Sequence, residues 1–166
     1  MDSVWQQVVD TLRAEFSDLV DVQQFTRVTV RLVVAVLLGA LIGWERERRE
    51  SFAGLRTHML VALGSALFVV VPQLAGTEIG DMSRVLQGVV AGIGFLGAGA
   101  VLKQSEQGQI HGLTTAASIW ATAAIGVAVG LGREGTALLA TLLVLVILAA
   151  LYRLEKRFPG KQRPTP

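Results

Sequence analysis

Gly112-Leu-Thr-Thr-Ala-Ala-Ser-Ile-Trp-Ala-Thr-Ala-Ala-Ile-Gly-Val-Ala-Val-Gly-Leu-Gly132 is a run without a single formal charge, bounded by His111 and Arg133. A helix of about 20 apolar residues crosses a hydrocarbon core of roughly 30 Å. Three more uncharged intervals of similar length occur at 59–77, 85–102 and 135–152. A fifth, 32–44, is shorter and reaches full length through Val28, Thr29 and Val30 if Arg31 snorkels or pairs inside the protein. The bilayer interior obliges the backbone to satisfy its own hydrogen bonds, which a single helix does and an open sheet does not. The expected class is all-α: a polytopic membrane protein with about five transmembrane helices.

Composition agrees. Of 166 residues 52% are hydrophobic and only 17% charged, and 18 are glycine; the mean hydropathy is +0.54. Soluble domains of this length are not so composed. With no cysteine there is neither a disulfide nor a thiolate metal site. Met1 to Gln24 is acidic and polar, without the basic and apolar regions of a cleavable signal peptide. No cofactor, no resident metal and no nucleic-acid partner is expected; the expected surroundings are a lipid bilayer.

Orientation follows from Lys and Arg in short loops. Arg46, Arg48, Arg49 and Arg56 follow span one, Lys103 follows span three, and Arg153, Lys156, Arg157, Lys161 and Arg163 end the chain. The other side holds Arg13, Arg27, Arg84 and Arg133. The N-terminus is expected outside and the C-terminus in the cytoplasm, as five spans require. Three segments result: 1–25, an outer amphipathic N-terminal part; 26–153, the transmembrane domain; and 154–166, a basic cytoplasmic tail expected to be disordered. In the first, Trp5, Val8, Val9, Leu12 and Phe16 recur at helical spacing, which suits a helix on the outer interface or one packed over the bundle.

Two stretches run in parallel. Arg31 and Gly39 are spaced as are Arg84 and Gly92, and Gly54-Leu-Arg-Thr57 is echoed by Gly112-Leu-Thr-Thr115. Two helical hairpins related by an axis along the membrane normal, plus a fifth helix, would follow, as in parallel-repeat transporters. Chance likeness between apolar helices produces the same echo.

Gly92-Ile-Gly94-Phe-Leu-Gly97 has the letters of a dinucleotide fingerprint, but no strand precedes it and it lies in a membrane interval. Packing is the better use. Gly39/Gly43, Gly88/Gly92 and Gly126/Gly130 are GxxxG pairs, and Gly94, Gly97 and Gly99 extend the small surface of span three. Small residues let helix backbones approach closely in lipid. Span three is thus expected to be the central helix; a homodimer would use the same signal.

The densest charge is Glu45-Arg46-Glu47-Arg48-Arg49-Glu50, with Arg56 and His58 close behind. Topology and attraction to anionic lipid account for Arg48, Arg49 and Glu50. Glu45 and Arg46 adjoin the membrane boundary, where charge is expensive unless paired. Arg56-Thr57-His58 and Thr114-Thr115 open spans two and four, where free N–H groups favour anions. Glu45, Arg46, Arg56, Thr57, His58, Thr114 and Thr115 form the candidate site, serving either as a clasp between hairpins or as a ligand or partner site. Asp81 and Arg84 suit a local ion pair better than a cation site. His111 is expected in a loop, and the two histidines lack zinc spacing. No triad, P-loop or paired-carboxylate arrangement gives enzymology a foothold.

Taken together, Gly39-x3-Gly43-x-Glu45-Arg46, Ala53-Gly-Leu-Arg-Thr-His58, Asp81-x-Ser83-Arg84, Gly92-Ile-Gly-Phe-Leu-Gly-Ala-Gly99 and Gly112-Leu-Thr-Thr-Ala-Ala117 with Trp120 resemble the membrane domain of the MgtC/SapB family, in order, over about residues 28–152. The resemblance implies a bacterial inner-membrane protein linked to growth in low magnesium and to virulence. It further implies action on other membrane proteins, such as transporters or the proton-driven ATP synthase that the longer members restrain. Ending at Pro166, the sequence resembles the short SapB-type branch without a soluble C-terminal domain. Two functions are weighed: a non-enzymatic regulator working through helix faces and the charge cluster, and a small cation transporter or channel with a path between the hairpins. The scarcity of mid-membrane ionisable groups favours the first. The repeat, the broken-helix potential of Gly92 to Gly99, and Ser118 and Thr122 favour the second.

Overall fold

The computed structural model describes residues 2–15, 21–102 and 112–157. Six helices follow one another: α1 Asp2–Glu15, α2 Val22–Glu47, α3 Leu55–Leu74, α4 Ile79–Leu102, α5 Leu113–Gly130 and α6 Glu134–Arg157. Val22–Glu47, Leu55–Leu74, Gly80–Val101 and Leu113–Gly130 are long and apolar enough to cross a membrane. The fifth expected span corresponds to a shorter apolar stretch, Glu134–Ala150, within α6. The protein is an all-helical, polytopic membrane protein. Its long antiparallel helices give the bundle two ends, called here the Glu45 end and the Arg31 end.

The segment boundaries differ from the sequence reading at two points. Helix α2 begins at Val22, where Asp21 caps it by accepting from the Gln23 amide at 3.1 Å. Helix α6 runs through Arg157, into the tail expected to be disordered; a charged stretch continues a helix once the apolar part has nucleated it. Phe16, Lys103, His111 and residues 158–166 lie outside the described residues.

Among the described residues, helix α1 packs against none of the other helices. Its apolar side is uncovered, with Trp5 76% exposed and Val8, Val9 and Leu12 also exposed. An open apolar stripe of this kind suits the membrane interface rather than a place on the bundle.

Span three is not the central helix; α5 is. It packs against α2, α3, α4 and α6, whereas α4 rests on α5 and touches α3 only lightly. The reason lies in where the glycines look. A Cβ at Gly126 would strike the Ala62 carbonyl oxygen and come within 2.9 Å of Ser65 Cβ, and one at Gly130 would lie 2.8 Å from the Ala66 carbonyl oxygen. Helices α3 and α5 are therefore joined backbone to backbone. Gly39 and Gly43 do the same for α2 against α3, with virtual Cβ positions 2.6 Å from the His58 carbonyl oxygen and 2.7 Å from Leu55 Cα. Ala62 is pressed from both sides. In α4, by contrast, Gly88, Gly92, Gly94 and Gly99 meet nothing within 4 Å, and Gly97 only the Ala116 methyl at 3.6 Å. Nor is α4 broken at Gly92 to Gly99; it is helical from end to end.

Between α2, α3, α5 and α6 the core is Ala35, Leu38, Ile42, Ala62, Ala66, Ile125, Val129 and Ala137. A second cluster, Ala53, Ile93, Ala100, Ile119 and Ala123, joins α4 to α5 and to the α2–α3 loop. The parallel neighbours α3 and α5, each the second helix of a hairpin, lie side by side. The proposed equivalents nonetheless have different surroundings: Gly39 is packed and Gly92 open, and Arg31 is held while Arg84 is exposed.

Candidate functional site

At the Glu45 end the polar groups form a connected chain. Helix α2 stays helical through Glu47, so Glu45 and Arg49 stand one turn apart on one face. Glu45 Oε1 accepts from Arg49 Nε at 3.0 Å, and its other oxygen is 3.9 Å from Arg46 Nη1. Arg46 Nη2 donates to Ser51 Oγ at 3.2 Å, and Ser51 Oγ is 3.0 Å from Thr115 Oγ1. The α2–α3 loop is thereby tied to the start of α5. Two buried atoms in this cluster, Glu45 Oε2 and Arg46 Nε, have no hydrogen-bond partner among the described residues.

One turn deeper lies His58, fully buried. Its Nδ1 is 2.9 Å from the Gly54 carbonyl oxygen and its Nε2 3.1 Å from Ser118 Oγ, which in turn is 2.8 Å from the Thr115 carbonyl oxygen. A carbonyl only accepts, so Nδ1 carries the proton of the first bond. With a neutral ring, Nε2 then accepts from Ser118, and the single hydroxyl proton cannot also serve Thr115. The ring and Ser118 therefore join α3 to α5 directly beneath the outer clasp. Thr122 continues the line, donating to the Ser118 carbonyl oxygen at 2.8 Å.

Of the seven site residues expected from sequence, Glu45, Arg46, His58 and Thr115 lie in this chain, and Arg56, Thr57 and Thr114 do not. The latter three are exposed. Each helical residue turns the side chain by about 100°, so when His58 and Thr115 face inward their immediate predecessors face out. Arg56 and Thr57 instead line a separate cleft with Glu47, Gly54 and Leu55. There Glu47 caps α3 from the preceding helix, its Oε2 accepting from the Leu55 amide at 2.7 Å. Sequence reasoning missed Ser51, the capping role of Glu47 and the pairing of Arg49, assigned to topology and lipid attraction. The four-residue spacing of Glu45 and Arg49 is the signal that could have found the last. Arg48 does sit apart, over the Trp44 ring at 6.0 Å.

The removal of Glu45's charge leaves Arg46 and Arg49 side by side and partly buried. Glu45→Gln is expected to lower stability by about 2–3 kcal/mol, read as a fall in the thermal unfolding midpoint in detergent. A variant as stable as the parent would show that solvent, not Glu45, balances these arginines.

At the Arg31 end stands a second polar knot that sequence reasoning left as one of two alternatives. Arg31 pairs rather than snorkels: Nη1 donates to Gln73 Oε1 and to the Gly130 carbonyl oxygen, both at 2.9 Å, and Nε lies 3.9 Å from Glu134. It thus closes the C-terminal end of α5, where a cation is favoured. Gly132 has φ +74°, and a Cβ there would strike the Arg31 guanidinium; only glycine gives both the turn and the room. Asp81 and Arg84 form an exposed pair at 3.8 Å. Among the described residues no three His, Asp or Glu side chains converge on a metal position.

The sequence pattern of the MgtC family matches residues 32–157, which includes both polar knots except Arg31. SrpB of Synechococcus elongatus is 47% identical over 137 residues, covering 76% of this chain and 75% of its own length. A protein of Escherichia coli named putative magnesium transporter YhiD is 40% identical over 139 residues, 80% of this chain and 64% of its own. MgtC of Salmonella typhimurium is 44% identical over 116 residues, 70% of this chain and 48% of its own, so this chain spans about half of that relative's length. No solved structure matches the chain. With the pattern running from within α2 to the end of α6 and these identities over most of the bundle, the chain belongs to the MgtC family.

Proposed function

We propose that this protein is a non-enzymatic regulator of the bacterial inner membrane, serving adaptation to low magnesium by binding other membrane proteins. The observation that carries the reading is the seam between α3 and α5. A transport path between the hairpins would run there, and backbone meets backbone at Gly126 and Gly130 instead. Buried Ala62, Ala66, Ile125 and Val129 fill the adjoining space. Above and below the seam, the Ser51–Thr115 and Arg31–Gly130 contacts close both ends. The excess of Arg and Lys there supports a cytoplasmic Glu45 end, whose exposed Arg48, Arg56 and Thr57 would be offered to a partner.

A second reading, a magnesium carrier, is favoured by the name of the Escherichia coli relative and by the buried line His58, Ser118 and Thr122. Liposomes holding only the purified protein separate the two. The regulator reading expects magnesium and proton uptake equal to that of empty liposomes, and recovery of membrane-protein partners when the tagged protein is purified from magnesium-starved cells. Uptake above the empty control that disappears in folded Glu45→Gln would overturn it.

A further inference from the structure

The open side of α4 is a surface that the proposed function leaves unused. Helices α3 and α4 diverge and leave between them a groove of about 660 Å³. Its walls are apolar, among them Phe68 and Leu60 on α3 and Val89 and Leu96 on α4, and its floor includes Gly64, Gly88 and Gly92, none with a neighbour within 4 Å of a virtual Cβ. Glycines turned to an empty groove leave backbone uncovered in lipid, and something must lie on them.

Two polar groups show what. Arg84 lines the groove at the Arg31 end. Its pairing with Asp81 is exposed and 3.8 Å long, a weak hold that a better anion can replace. Ser65 lines the groove as well and is only 3% exposed, yet its hydroxyl has no hydrogen-bond partner among the described residues. Ser65 lies nine residues before the end of α3 and Arg84 five after the start of α4. At 1.5 Å per residue the hydroxyl therefore sits about 6 Å deeper in the membrane than the guanidinium. A phosphate and the ester carbonyl below it are stacked in that order.

Length decides between a lipid and a helix. From Arg84 to Leu96 the groove follows α4 for twelve residues, about 18 Å. That is close to the depth of one leaflet, half of a core of roughly 30 Å, whereas a spanning helix of a second copy would need the whole. We propose that the α3–α4 groove is a binding site for one phospholipid of the leaflet at the Arg31 end. Its phosphate lies on Arg84, its ester carbonyl accepts from Ser65, and one acyl chain lies over Gly64, Gly88 and Gly92. The lipid completes the wall that α4 leaves open and shares its face with any partner that docks there.

Native mass spectrometry of the delipidated protein titrated with phosphatidylglycerol tests this. One lipid should bind ahead of the nonspecific series. Arg84→Gln should weaken it about tenfold, Ser65→Ala should weaken it several-fold, and diacylglycerol, which lacks the phosphate, should bind no better than to Arg84→Gln. Gly88→Leu with Gly92→Leu, whose new Cβ atoms meet nothing within 4 Å, puts bulk into the groove and should abolish the site, while Gly94→Leu with Gly99→Leu, equally open at Cβ but outside the lining, should keep it. Unchanged binding in the filled variant would overturn the proposal. So would a dimeric protein that the filled variant converts to monomer with no change in lipid binding, since a second copy would then be the occupant. Circular dichroism and a monodisperse elution establish that each variant is folded.

Discussion

Gly126→Ala is expected to cost the protein at least about 3 kcal/mol, the upper part of the range for overpacking. The added methyl meets the Ala62 carbonyl oxygen, a backbone atom that cannot rotate away, and Ser65 Cβ at 2.9 Å. Relief requires α3 and α5 to separate. Ala62 is also pressed by Gly39 from α2, so the displacement passes to a third helix. Gly94→Ala supplies the contrast: its new methyl meets nothing, and the helical preference of alanine over glycine, up to about 1 kcal/mol in soluble helices, acts alone. The check is the unfolding midpoint of both variants in one detergent, followed by tryptophan fluorescence. A Gly126→Ala protein as stable as Gly94→Ala would mean that the α3–α5 seam is looser than described.

The second large effect is expected at Arg31. Arg31→Ala removes two charge-assisted hydrogen bonds, to Gln73 and to the Gly130 carbonyl, and leaves Glu134 without its partner. Hydrogen bonds to charged groups contribute roughly 1.5–3 kcal/mol each, so a loss of about 3 kcal/mol is expected after the two are discounted for partial exposure. Arg31→Lys should recover less than half. An ammonium is a point donor and does not reproduce the fork that reaches α3, α5 and α6 together. Limited proteolysis of the α5–α6 turn, near Gly132, is the companion measurement. Turn cleavage that is no faster in Arg31→Ala than in the parent would count against a holding role.

What the sequence made legible follows from what charges and glycines can say. Charge-free intervals located α3, α4 and α5 because burial in hydrocarbon penalises charge at every position. The same reasoning singled out Arg31 as either paired or snorkelling, and only its downstream partners decide between these. Glycines announce close approach without naming the surface approached. Gly126 and Gly88 look alike in sequence, yet the first lies on Ala62 and the second on nothing. The centre of the bundle was accordingly assigned to α4, the helix richest in glycine. In the candidate site the helix starts were located but not their rotation. His58 and Thr115 face inward while Thr57 and Thr114, one residue before them, face out. Ser51 was invisible because a loop has no period to read.

Arg31 sets an order on the making of the molecule. Its partners lie 42 and 99 residues farther along the chain. When the ribosome has delivered α2 to the membrane, that helix carries a guanidinium within its span and nothing yet exists to receive it. Gln73 arrives with the end of α3; the Gly130 carbonyl and Glu134 arrive only with α5 and α6. Helix α2 therefore enters in a provisional position and takes its final depth after the last has been inserted. A chain cut before Gly130 should leave α2 shifted toward the surface at the Arg31 end, the first span being seated by the last two helices.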